Sequence, residues 1–315
     1  MKSKTTIGQK ISNYSMPILL ILLIIIFSIL SDKFLTQRNI TNIIVQNVHI
    51  AVCTTGVFMI MVSGGCDLSI GYQMSVSAVL VAKLLSQGAV SVPVAILLGI
   101  GICILLGFFN GCMTILLKSN AMIVTLGTMA IFQGISFLVS KSKTYHNLPK
   151  SFMYIGQGKL FGVIPVNALI ALVSICIAGI IINRTYIGRR IYAVGDNPDA
   201  ARLAGLNVKK IRLLVFTFAG VLVGISAILL TARSASADSS TGTGIEFTGI
   251  IACVLSGVAL KGGEGTLWKA IVAVFVLGVL SNGMQLINLG TYPQYIARGI
   301  IMLGSLYLSN RTAKN

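Results

Sequence analysis

The sequence predicts an all-α protein, a polytopic transmembrane helical bundle of about ten spans in which spans 2–5 are repeated, inverted, by spans 7–10. Composition is the first reason. Of 315 residues, 55% are hydrophobic and only 10% charged, whereas a soluble domain carries roughly 25% charged residues. Periodicity of another kind is the second: apolar runs near the ~20 residues needed to cross a bilayer recur along the whole chain. The third is a set of Gly-rich motifs in the first half that reappears in the second.

The first span, 15–31, follows Lys2, Lys4 and Lys10 and contains the apolar run Met16–Leu30. That arrangement resembles a signal peptide. No small-residue cleavage site follows, because "SILSDKF" comes next, so the segment reads as an uncleaved span with residues 1–14 cytoplasmic. The remaining spans fall at 41–62, 72–87, 92–117, 121–140, 164–183, 211–233, 246–259, 268–287 and 293–309, with 310–315 as a cytoplasmic tail. The third and eighth are short and rich in Gly and Ser, which leaves a count of six to nine open. With both termini inside, most Lys and Arg fall in cytoplasmic segments, as the positive-inside rule requires. The loop 141–163, with Lys141, Lys143, Lys150 and Lys159 on the outside, fits least well. The net charge of +17 therefore marks orientation and does not point to nucleic acid as a partner; membrane lipid is the partner it implies.

The repeat is visible by eye. "LGFFNG" starts at Leu106 and "LGVLSNG" at Leu277; "GGCDLSIG" from Gly64 is matched by "GTGIEFTG" from Gly242. The offset between the copies is an odd number of spans, so the two have opposite orientations, a design in which sites gather near the repeat interface. The cysteines lie in or beside apolar segments without a C-x-x-C pair or a His cluster, so no metal site and no disulfide frame is expected.

The most polar stretch of the chain is the loop 184–210. Within it Asn197 is placed to cap a helix, Pro198 suits the first helical position, and Asp199 complements the dipole in the first turn. Ala200, Leu203 and Ala204 share a face at i, i+3, i+4, while Gly205 is placed to end the helix. Ala201 and Arg202 complete it. A helix of about two turns is not stable alone, so it packs on something. Two readings stand: a docking helix that enters a groove on a cytoplasmic partner, and an ordinary solvated loop with a helical turn. No phosphate-binding G-x-x-x-x-G-K-[ST] loop occurs, and the seven carboxylates lie at span ends or in loops. Ion coupling inside the spans is thus disfavoured, and energy is expected from another protein.

"GGCDLSIG", "GDNPDAARLAGLNVKKI", "GTGIEFTGIIACVLSGVALKGGEGT" and "GVLSNGMQLINLG" resemble the membrane subunit of the ribose/xylose/galactose-type ABC importers, over about residues 40–310. The resemblance implies that this chain is no enzyme. It would be a permease in the bacterial inner membrane, moving a simple sugar or a related small polyol by alternating access. It implies an ABC ATPase subunit as partner, docked on Asn197–Gly205, with ATP and Mg bound there and no cofactor on this chain. It further implies an extracytoplasmic sugar-binding protein and a second permease copy or paralogue. Cys66 departs from the branched aliphatic residue usual in that motif. A secondary carrier of inverted-repeat design is the alternative.

Candidate pathway or gate residues are Gly64, Gly65, Asp67, Ser69, Asn110, Glu246, Asn282 and Gln285. The paired glycines permit irregular backbone at membrane depth. Asp67 is read as the cap of the third span, with a pathway role as the alternative. Asn110, Asn282 and Gln285 are amides inside spans, suited to interhelical hydrogen bonds or to a neutral sugar. Glu246 is placed at an outer gate or in a solvated loop. The turn Lys261–Gly265 is a second possible ATPase contact, and Trp268 an interfacial anchor.

Overall fold

The computed structural model describes residues 7–312; the predicted terminal segments 1–14 and 310–315 lie outside the described residues at 1–6 and 313–315. The helices are α1 (Ile7–Leu30), α2 (Gln37–Val62), α3 (Ile70–Ser86), α4 (Val92–Leu117), α5 (Ala121–Ser140), α6 (Lys150–Gln157) and α7 (Val166–Arg184). They continue with α8 (Tyr186–Asp196), α9 (Pro198–Leu203), α10 (Val208–Ser234), α11 (Ile245–Leu255), α12 (Leu267–Leu286) and α13 (Thr291–Thr312). The protein is an all-α membrane protein. Among the described residues six helices, α2, α4, α5, α7, α10 and α12, are long and apolar enough to cross a bilayer, and Tyr14–Leu30, α3 and α11 are shorter apolar helices.

A helix stands at every predicted span, yet two details differ. The segment 141–163 is not a plain loop: it holds α6 and a two-stranded antiparallel hairpin of β1 (Lys159–Leu160) and β2 (Ile164–Pro165). The eighth predicted span, 246–259, is cut short. Its helix α11 has 11 residues, about 16 Å, or roughly half the hydrocarbon thickness. Both ends of α11 are closed locally. Gly244, at φ +89°, donates its N–H to the Glu246 carboxylate at 3.0 Å, and Gly257, at φ +85°, allows Val258 N–H to bond Cys253 O.

The bundle has an inner and an outer ring. The most apolar windows of α2, α10 and α12 are 78%, 67% and 61% buried, whereas those of α4, α5 and α7 are 22%, 28% and 22% buried. Outer helices turn Leu and Ile outward, as at Ile29, Leu97, Leu105, Leu138 and Leu172. In water such a belt would be a liability; in lipid it is the favoured solvent-facing surface. Inner helices approach closely because small residues meet. The pairs Gly107/Gly111 on α4 and Gly220/Gly224 on α10 line one seam: Gly107 meets Gly220, Gly111 lies against Leu213 and Phe216, Gly224 lies against Ile100 and Cys103, and a Cβ at Gly107 or Gly220 would lie 2.5 Å from Phe216 O or Cys103 O. Each pair is a G-x-x-x-G repeat, the spacing that lets two membrane helices touch backbone to backbone.

The two ends of the bundle are distinct. At one, α6 and the hairpin pack beside the end of α10, where Gln157 Nε2 donates to Arg233 O at 2.8 Å. There the segment 235–244 is tied down by a bridge between Tyr145 and Ala237 and by Ser136 Oγ, which donates to Ser239 O at 3.0 Å. At the other end, α8 and α9 gather around the terminus of α2. Gly263 N–H bonds Val62 O at 2.9 Å, and Gly262 fits against Gly64 and Gly195, and Gly263 against Asp196, without room for a Cβ.

Candidate functional site

The short helix α9 is closed at both ends by its own sequence. Asn197 Oδ1 accepts from the backbone N–H of Asp199 and of Ala200 at 3.1 and 2.9 Å. Pro198 occupies the first position, and Asp199 and Arg202 form an exposed ion pair of 3.2 Å. At the far end Gly205, at φ +81°, lets its N–H reach Arg202 O and Leu206 N–H reach Ala201 O, both at 3.0 Å. The apolar face differs from expectation. Ala201 is the residue that turns inward, whereas Ala200, Leu203 and Ala204 are exposed and Leu203 is 90% exposed. With barely more than one and a half turns, the helix has one inward position, and the side opposite is left without cover.

Between α2 and α3 the chain is irregular from Ser63 to Ser69, with Gly64 at φ +81°. Backbone groups in that break are met by α5: Leu68 N–H donates to Thr125 Oγ1, which in turn donates to Cys66 O, each at 3.1 Å. Asp67 lies at the centre, 2% exposed. Its Oδ1 accepts from Ser69 N–H and Ser69 Oγ at 2.8 and 2.7 Å; its Oδ2 accepts from Gln73 Nε2 and Asn110 Nδ2 at 3.0 and 3.1 Å. Asn110 Nδ2 also reaches Ser69 Oγ at 2.7 Å. Asp67 is therefore the hub of a network joining α3 to α4 and not the cap of α3, whose N-cap is Ser69. The preference for a cap fails because a buried carboxylate needs more donors than one helix end offers.

The remaining predicted residues separate. Asn282 and Gln285 line a polar cavity of about 390 Å³ at the hairpin end, together with Gln46, Asn47, His49, Arg233, Thr248, Ser281, Gln294 and Arg298. Asn282 also exchanges two 2.9 Å hydrogen bonds with Asn39, pinning α12 to α2. Gly64 and Gly65 line a second cavity of about 240 Å³ at the α9 end, with Asn120 and Arg212. Asp67, Ser69 and Asn110 line none of the described cavities. Glu246 is not in a solvated loop: it is 1% exposed and packs against the backbone at Gly71. Among the described residues no group of His, Cys, Asp and Glu is placed to hold a metal ion.

A family described as branched-chain amino acid transport system / permease component matches residues 39–306. The chain belongs to this permease family. It is 32% identical over 294 residues to the ribose import permease protein RbsC of Bacillus subtilis, covering 93% of this chain and 91% of the relative. It is 31% identical to the L-arabinose transport system permease protein AraH of Escherichia coli, with 97% and 92% covered. The D-allose transport system permease protein AlsC of Escherichia coli is 30% identical, with 94% and 91% covered. No solved structure matches the chain.

Within the permease, several polar residues at the cavity escape a reading of the sequence alone. Arg298 sits inside α13 and donates to Ser281 Oγ at 2.7 Å, and His49 sits inside α2, 4% exposed. A signal for both was present, since ionisable residues within apolar spans are functional by default. Arg233 reads as one more loop charge until α10 is seen to extend to Ser234.

Proposed function

We propose that this permease is the membrane subunit of an ABC importer for a simple sugar or a related small polyol-like solute, and that Asn197–Gly205 is the seat of its ATPase. The observation that carries this is α9 itself. A helix too short to stand alone is capped at both ends, held at the mouth of α10, and leaves Leu203 90% exposed. Effort spent on ordering a surface that packs on nothing within the chain is explained by a partner that covers it.

The rest of the proposal follows from that seat. The α9 end is cytoplasmic, both termini are inside, the ten helices at the predicted positions act as spans, and α2–α5 and α10–α13 are inverted copies. The hairpin end faces the extracytoplasmic sugar-binding protein, and a second permease copy or paralogue completes the pathway in the inner membrane. ATP and Mg are bound and hydrolysed on the ATPase, so this chain is no enzyme. The relatives named for ribose, arabinose and allose support a monosaccharide as solute. So does the cavity at the hairpin end, where amides and hydroxyls offer the mixed donors and acceptors that a neutral polyol needs.

Leu203→Glu tests the seat cleanly, because Leu203 touches little and the fold tolerates the change. Co-purification with the cognate ATPase is expected for wild type and lost for the variant, with thermal unfolding of the permease unaltered. Retention of the ATPase by Leu203→Glu sinks the docking role. One observation favours the secondary carrier: Asp67 and Glu246 are buried carboxylates that form no ion pair among the described residues. Uptake that persists in cells lacking the ATPase establishes that reading in place of the first.

A further inference from the structure

One cavity is lined by none of the candidate pathway residues. It measures about 790 Å³ and lies at the α9 end, walled by Thr114, Lys118 and Ser119 from the end of α4 and by Arg202, Lys209 and Arg212 from the α9–α10 connection. Four of these side chains are cations, and no lining residue is acidic. Among the described residues the one ion pair is Arg202 with Asp199, so Lys118, Lys209 and Arg212 face the cavity without a carboxylate. The Nε of Arg212 is buried and has no hydrogen-bond partner among the described residues. A guanidinium N–H removed from water and left unpaired is costly, so the site is built for an acceptor that the chain does not supply.

The depth of the cavity says what kind of acceptor. Lys118 follows directly on Leu116 and Leu117, which are 68% and 62% exposed on the outer ring, and it turns the chain at φ +49°. The cations thus sit where an apolar, lipid-facing helix surface gives way to water, the level of phospholipid headgroups. We propose that this cavity binds the phosphodiester headgroup of an anionic phospholipid. Lys118, Lys209 and Arg212 are the contacts, and the acyl chains lie along the outer face of α4. The proposal goes beyond the import function and does not depend on the identity of the solute. It makes the lipid a strut between α4 and the elbow that carries α9.

The test uses the full-length permease in nanodiscs and reads retained lipid by native mass spectrometry. Nanodiscs of phosphatidylcholine alone are compared with nanodiscs containing phosphatidylglycerol. Wild type is expected to retain phosphatidylglycerol and to unfold at higher temperature in its presence. Lys118→Gln with Lys209→Gln, both exposed and so neutral for the fold, is expected to lose that retention roughly tenfold or more, as removal of two cations at an anionic surface implies. Lys141→Gln with Lys143→Gln, an equal charge loss at the hairpin end, is expected to change nothing. Equal loss in both double variants overturns the proposal, as does equal retention of the two lipids by wild type. Stabilisation by inorganic phosphate in phosphatidylcholine nanodiscs, matching that by phosphatidylglycerol, shows a free-anion site and also overturns it. Loss of the ATPase from Lys118→Gln/Lys209→Gln with lipid retention intact assigns the cations to a protein carboxylate and overturns it too.

Discussion

Asp67 shows what a single residue holds together. Four donors converge on its carboxylate, and two of them, Gln73 and Asn110, are buried amides on different helices. Replacing it by Ala leaves Ser69, Gln73 and Asn110 short of an acceptor in a site water does not reach. Asp67→Ala is expected to lower stability by about 1–3 kcal/mol for the groups orphaned, seen as an earlier thermal unfolding of the purified protein. Asp67→Asn is expected to recover part of the loss, because the neighbouring amides can rotate to offer oxygens. An Asp67→Ala protein that unfolds at the wild-type temperature removes the hub role. Sequence alone located Asp67, Ser69 and Asn110 as notable but not as one cluster. Asn110 is separated from Asp67 by 43 positions, and only the packing of α3 on α4 brings them within reach. Arg298 and His49 were legible as ionisable groups inside apolar segments; their shared cavity was not, since it is assembled from five helices.

At the level of the helix, the chain announces itself well wherever local chemistry decides. Asn197, Pro198 and Gly205 do what cap, first-turn and closing residues do, and the boundaries of α4 and α5 match the expected spans at 92–117 and 121–140. Prediction fails where a closing glycine is read through, as with α11, which ends at Leu255 because Gly257 closes it. It fails too where tertiary contact decides, as on α9, turned by one residue so that Ala201 and not Leu203 packs inward. The α4–α10 seam gives the sharpest test at this scale. Gly220→Leu inserts a branched side chain where a single Cβ would already lie 2.5 Å from Cys103 O. The expected cost is about 1–3 kcal/mol or more, read as a lower unfolding temperature and poor insertion, while Gly101→Leu on the partner helix α4, with open space beside it, is expected to be mild. Equal effects from the two substitutions contradict a backbone-to-backbone seam.

For the whole molecule, composition fixed the membrane and the polar segments marked its two ends, but which end faces the cytoplasm rests on charge bias. Phe161, at the tip of the hairpin, is 95% exposed, and Leu203 is 90% exposed at the opposite end, so each accepts a cysteine without disturbing packing. A membrane-impermeant maleimide applied to intact cells is expected to label Phe161→Cys and not Leu203→Cys. After permeabilisation both are expected to react. Cys53, Cys103 and Cys253 are buried, so only the exposed Cys176 and the half-buried Cys66 and Cys112 are first replaced by Ala. The opposite labelling pattern inverts the protein in the membrane and removes the ATPase from α9.

One element spans that whole distance. α10 runs for 27 residues, about 40 Å, with no proline and a close glycine seam along its length; it begins beside α9 and ends beside Arg233. A rod of that length behaves as a rigid lever. With the pivot at mid-helix the arm to the far tip is about 15–21 Å, so a tilt of about 5° becomes a stroke of roughly 1–2 Å there, by the rise per residue alone. The pivot is the crossing at Gly220 and Gly224, where α10 itself carries no side chain and lies against Ile100 and Cys103 of α4. With the ATPase seated on α9 as proposed, a nudge at that six-residue helix would reach, without any unfolding, the polar chamber at the hairpin end.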